Sequence, residues 1–83
     1  MNRYNDWKNL LKYANEDLAN HGYELKVYED DGYYSCDIWQ DVITNGCAEK
    51  VAIETYAENY YEYELSVVIT DAWHYVLTEL VNE

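Results

Sequence analysis

Two dipeptides, Asp31-Gly32 and Asn45-Gly46, constrain the fold of this chain more than any other feature. Each joins a residue that tolerates a left-handed backbone to a glycine, the combination a type I′ hairpin turn demands. Alternating apolar and polar residues flank both turns. Tyr23 to Thr44 therefore reads as a hairpin, with Leu25 and Val27 facing the core from one strand and Tyr34, Cys36 and Ile38 from the other. Cys47 to Thr55 supplies a third strand, with Val51 and Ile53 expected inward. The chain has no Pro to interrupt these runs.

Helices are expected on both sides of this meander. From Tyr4 to His21, residues Trp7, Leu10, Leu11, Ala14 and Leu18 form one apolar stripe at helical spacing. Asn5 or Asp6 is placed to cap its start, and Gly22 to end it. From Asn59 to Val81 a second stripe runs through Tyr61, Leu65, Val68, Ile69, Ala72, Trp73, Val76 and Leu80. The β-branched run from Tyr63 to Thr70 also permits a strand, with Asp71 capping a shorter helix. The unbroken stripe favours one long helix.

The expected fold is α+β: a single domain over residues 1–83, in the order α-β-β-β-α, with two helices on one face of a three-stranded antiparallel sheet. A chain this short buries only about 60% of its unfolded surface, so it has one thin core. The open sheet face would carry Glu24, Lys26, Tyr28, Asp30, Tyr33, Ser35, Asp37, Trp39, Ala52 and Glu54. Double-stranded-RNA-binding domains share this element order, but they grip phosphate with a Lys-rich second helix. Here the last helix has no Lys, and the charge excludes that use.

Seventeen acidic residues face five basic ones, for a net charge of −12. Arg3, Lys8, Lys12, Lys26 and Lys50 all precede Val51, and seven acids follow it. Such a chain repels phosphate, which argues against nucleic acid or an anionic membrane as a direct partner. Eleven Tyr, three Trp and no Phe add a second signal. A core gains nothing by choosing Tyr over Phe, because a buried hydroxyl must find a partner. Half-exposed Tyr rings suit a protein interface. No apolar run occurs in Met1 to Tyr13, and none elsewhere approaches the ~20 residues of a membrane span. The expected location is cytoplasmic.

Catalytic chemistry finds no support. His21 sits at a helix end and His74 beside Trp73, neither in a pattern that orients a nucleophile. Cys36 and Cys47 lie eleven apart without CxxC or HxxxH spacing, so no metal or other cofactor is expected. Reduced thiols are the expectation. Asp30-Asp31-Gly32 lacks the alternating ligands and terminal Glu of an EF-hand. With so many carboxylates, some pair lies at glycosidase spacing by chance, so that match carries no information.

The spacing of the acids carries more. Carboxylates at i,i+2 on a strand lie about 6.7 Å apart, and those at i,i+4 on a helix about 6 Å. The phosphates of a winding nucleic-acid strand, with ~3.4 Å of axial rise per nucleotide, are separated by similar distances. Glu29, Asp30 and Asp31 are expected at the hairpin tip, and Asp37 with Glu54 on adjacent strands of the open face. Glu58 and Glu62 are expected at i,i+4 beside Glu64, interleaved with Tyr60, Tyr61 and Tyr63. Like charges at i,i+4 without intervening Lys are locally unfavourable, and such violations tend to mark function.

The Glu29-Asp30-Asp31 tip, the run Glu54-Thr55-Tyr56-Ala57-Glu58-Asn59-Tyr60-Tyr61-Glu62-Tyr63-Glu64 and the lack of Lys or Arg after Lys50 resemble the small acidic inhibitors of phages and mobile elements. Among these are anti-CRISPR and anti-restriction DNA mimics, one anti-CRISPR group of which is similar in size, acidity and element order. The resemblance spans the whole chain, rests on type and carries no single residue across. It implies a non-enzymatic inhibitor whose partner is a basic nucleic-acid-binding protein: a CRISPR effector, at the site that reads the PAM duplex, or a restriction enzyme. An immunity protein against a nuclease toxin, which also faces a basic surface, fits the same residues. A regulatory or adaptor domain is the third class.

Overall fold

The computed structural model of the protein describes residues 6–81. Helix α1 (Asp6–Ala19) leads into strands β1 (Tyr23–Asp30), β2 (Tyr33–Thr44) and β3 (Cys47–Tyr60). A 3-10 turn (Glu62–Glu64), helix α2 (Leu65–Tyr75) and a π-helical turn (Val76–Leu80) follow. The sheet is antiparallel in the order β1-β2-β3, and the expected α-β-β-β-α order is present. Both turns are as the dipeptides demand: φ is +56° and +83° at Asp31 and Gly32, and +53° and +81° at Asn45 and Gly46. The expected cap at Asn5 lies outside the described residues. Asp6 lies in the first described turn of the helix, where a carboxylate suits the positive end. The helix stops at Ala19, short of the expected His21.

The core lies between the sheet and both helices. Trp7, Ala14 and Leu18 of α1 meet Leu65, Val68, Ile69 and Ala72 of α2, together with Val76, over Leu25, Cys36 and Ile38 of the sheet. Two indoles tie the helices down: Trp73 Nε1 donates to Asp17 Oδ2 (2.8 Å) and Trp7 Nε1 to Glu62 Oε2 (3.0 Å). Leu25 turns its backbone away from β2, toward α1. Its N–H donates to Asn15 Oδ1 (2.8 Å), and Asn15 Nδ2 donates to its carbonyl (3.0 Å). One side chain thus satisfies both edge groups of a buried residue of β1.

Several sequence expectations are corrected. The third strand continues past Thr55 to Tyr60, so the helix expected from Asn59 begins later, at Leu65. Pairing of Tyr60 with Tyr34 holds this stretch in the sheet. Between those pairs β3 spends Glu58 and Asn59 where β2 spends only Ser35, a bulge that Asn59 accommodates at φ +65°. The rest of the stripe holds, because Leu65, Val68, Ile69, Ala72 and Val76 are buried. Val51 and Ile53 are not inward; they are 37% and 41% exposed.

Ile53 is the extra residue of a bulge between the Ile38–Glu54 and Trp39–Ala52 pairs, and Val51 pairs with Gln40, opposite Tyr23, where β1 runs out while β2 and β3 continue to the turn at Asn45-Gly46. Beyond that point they form a two-stranded arm, on which Ile43 is 74% exposed. The molecule measures 44 × 24 × 20 Å with a radius of gyration of 13.2 Å, against about 12 Å for a compact chain of this length.

The arm also separates the thiols. Cys47 pairs with Thr44, eight residues along β2 from Cys36 and so about 27 Å away, where a disulfide needs Cα atoms within about 7 Å. Burial, then the Asp37 charge, pushes the Cys36 thiol up to about 12, while Cys47 is exposed. At pH 8 iodoacetamide should label Cys47 at least ~10³-fold faster than Cys36. Equal labelling rates, followed by mass spectrometry of the peptides, would contradict this packing.

Candidate protein-binding surface

Two Tyr doublets build the surface. Neighbours on a strand point to opposite faces, so each doublet sends one ring toward the helices and one outward. Tyr34 and Tyr60 pair on the helix side, and Tyr34 packs edge-on to Trp7 at 6.0 Å. Tyr33 and Tyr61 meet on the other side at 5.4 Å, and Tyr61 stacks on Tyr63 at 5.6 Å with the ring planes 9° apart. Tyr33, Tyr60, Tyr61 and Tyr63 all remain exposed.

This aromatic cluster lies at the end of the molecule that holds the Asp31-Gly32 turn. The antiparallel register therefore brings the tip acids Glu29, Asp30 and Asp31 to the same end as Glu58, Glu62 and Glu64. Tyr34 senses both groups: its pKa is raised by burial first, then by the charges of Glu62 and Glu29. Lys8, whose ammonium lies 5.7 Å over the Trp7 ring, is the cation placed nearby.

The expected acidic rows do not form as rows. Glu58 is in β3 and Glu62 in the 3-10 turn, so they are not one helical turn apart. Glu62 and Glu64 stand at the start of the last helical stretch, where free N–H groups favour carboxylates. That position removes the local conflict read from their spacing. Glu62 is also half-buried and holds the Trp7 indole.

Asp37 and Glu54 do not share a face. Ile53 is an extra residue between the Ile38–Glu54 and Trp39–Ala52 pairs, which turns Glu54 to the helix side. There it accepts a hydrogen bond from the Tyr75 hydroxyl (3.1 Å). Asp37 stays on the open face but stands opposite Lys26, about 13 Å along β2 from Tyr33. The open face as a whole is partly neutralised. Lys26 Nζ lies 4.0 Å over the Trp39 ring, and Lys50 bridges Glu24 (3.3 Å) and Asp41 (2.8 Å).

The acids thus divide by task. Asp17, Glu24, Asp41, Glu54 and Glu62 hold other side chains of the fold. The side chains of Glu29, Asp30, Asp31, Glu58 and Glu64 make no hydrogen bond or ion pair among the described residues, and they stand at the same end of the molecule as the exposed rings. Tyr33 was missed as a site residue, although its doublet with Tyr34, just after the turn, is the signal that locates it.

Tyr34, Tyr56 and Tyr75 all keep their protons to higher pH than the ordinary 10.0, through burial for the first two and the Glu54 hydrogen bond for Tyr75. Their neutral forms contribute stability below that pH, and the contribution is lost as pH rises through the folded values. The urea midpoint should therefore fall above pH ~10 while the absorbance of these phenols titrates late. A flat midpoint there would contradict the assignment.

Among the described residues, no three His, Cys, Asp or Glu side chains gather to hold a metal ion. No described helix is long and apolar enough to cross a membrane. No family model, curated protein or solved structure matches the chain, so the surface is read from its own residues.

Proposed function

We propose that this protein is a non-enzymatic inhibitor that docks on the basic nucleic-acid-binding surface of a host defence protein and blocks DNA by placing carboxylates at its phosphate sites. The observation that supports it is the meeting of unpaired acids with exposed Tyr rings at one end of the molecule. Acids alone steer a basic partner and set the salt dependence, whereas desolvated aromatic anchors supply residence time. The surface needs no cofactor, and its charge excludes nucleic acid and anionic membrane as direct ligands. A cytoplasmic setting follows from where such partners act. A nuclease toxin presents the same chemistry, which keeps an immunity protein as the second reading.

The test is capture on immobilised protein from bacterial lysate, at about 50 mM and about 200 mM salt, with duplex DNA as competitor. A nucleic-acid-binding protein should be retained at the lower salt and released by either challenge. Which protein is retained, a CRISPR effector, a restriction enzyme or a nuclease toxin, separates the two readings. Retention of only salt-insensitive, non-basic partners would overturn both in favour of an adaptor role.

A further inference from the structure

Beside the aromatic cluster, on the helix side, Tyr60, Tyr63, Glu64, Val67 and Val68 line an open surface cavity of about 370 Å³. Its walls come from the end of β3, the 3-10 turn and the first turn of α2. All but Glu64 are apolar or aromatic. Val67 is 63% exposed and Tyr63 59%, although the neighbouring Leu65, Val68 and Ile69 are buried. Val67 therefore presents its apolar side chain outward, next to Tyr63 and the free Glu64 carboxylate. Glu64 is the N-cap residue of α2, yet its side chain makes no capping bond, so the carboxylate is not committed to the backbone.

We propose that this cavity receives one arginine side chain of the partner; the assignment rests on the proposed docking to a basic surface. The cavity's occupant must offer an apolar stem to Val67 and Val68 and a cation to Glu64. Arginine meets both conditions, and its planar guanidinium also lies flat on a Tyr ring while pairing with a carboxylate. Lysine carries a strongly hydrated ammonium that resists this half-buried setting. A purely apolar side chain would desolvate Glu64 without pairing it. The surrounding Glu58 and Glu62 add attraction for a cation, so charge and shape select the same group.

The test titrates the full chain with three blocked tripeptides, Gly-Arg-Gly, Gly-Lys-Gly and Gly-norleucine-Gly, followed by amide NMR. The arginine peptide should give saturable shifts confined to residues 60–68, with a Kd on the order of millimolar. The lysine peptide should bind at least about threefold more weakly, and the norleucine peptide should leave these amides unmoved. Glu64→Gln should weaken arginine binding at least about threefold, and Val67→Lys should abolish it, both with an unchanged spectrum elsewhere. Equal shifts from norleucine, shifts spread equally over Glu29 to Asp31, or no shifts at all would overturn the assignment. The peptides include no nucleic-acid-binding protein. If they fail while salt-sensitive capture succeeds, the pocket falls and the proposed function stands; the reverse pattern leaves only the pocket.

Discussion

Asn15→Ala will destabilise the domain by about 2–5 kcal/mol, the sum for two buried backbone groups that lose their partners. The substitution leaves a good helix former on α1, so the loss does not come from helix propensity. It comes from Leu25, which is 1% exposed and bonds through both its N–H and its carbonyl to Asn15. Alanine offers neither backbone group a partner. Total stability for a chain this size is on the order of 4–12 kcal/mol, so the variant is expected to be partly unfolded or close to it. Asn15→Asp separates the two bonds: it keeps the acceptor for the Leu25 N–H and loses the donor to the carbonyl. Urea denaturation should rank wild type above Asn15→Asp, and Asn15→Asp above Asn15→Ala. If Asn15→Ala costs less than about 0.5 kcal/mol, the edge of β1 is not sealed by this side chain.

Replacing Glu58, Glu62 and Glu64 together with Gln will weaken capture of a basic partner about tenfold or more, while the fold is retained. Retention is expected because Gln at 62 still offers an oxygen to the Trp7 indole N–H. Glu58 and Glu64 hold nothing within the described residues. The proper control changes net charge equally elsewhere, at Glu16, Asp71 and Glu79, all exposed on the helical elements. If capture depends on the local surface, the control triple loses far less affinity than the first. If both triples lose the same amount, only the overall field matters, and the aromatic end is not the docking surface. Surface plasmon resonance at two salt concentrations reads both cases, since a steering effect appears in the association rate and a contact effect in the dissociation rate.

That an Asn at helix position 15 would seal a strand edge cannot be read from periodicity, because the bond joins elements whose mutual placement is set by the core. The same holds for Glu62, which looks like one more surface acid until Trp7 is found beside it. Asp37 and Glu54 illustrate the reverse error. A strand pattern with period two places them on one face, but a single extra residue at Ile53 flips Glu54 and Thr55 to the opposite faces, until a second extra residue at Tyr56 shifts the register again. Bulges leave little local trace, so a register read from alternation alone fails past them.

Turn chemistry and hydrophobic spacing act between neighbours along the chain, so the order of elements, both I′ turns, the stripes of α1 and α2 and the imbalance of charge are legible in the residues alone. Packing of the folded chain sets where β3 ends, which acids are occupied by two indoles, one lysine and a phenol, and which side chains are left free among the described residues. It also decides that the Asp31-Gly32 turn and the Tyr60–Glu64 segment share one end, since antiparallel register joins residues about thirty positions apart in sequence. A local pattern cannot specify that meeting; the pairing of Tyr34 with Tyr60 across the sheet does.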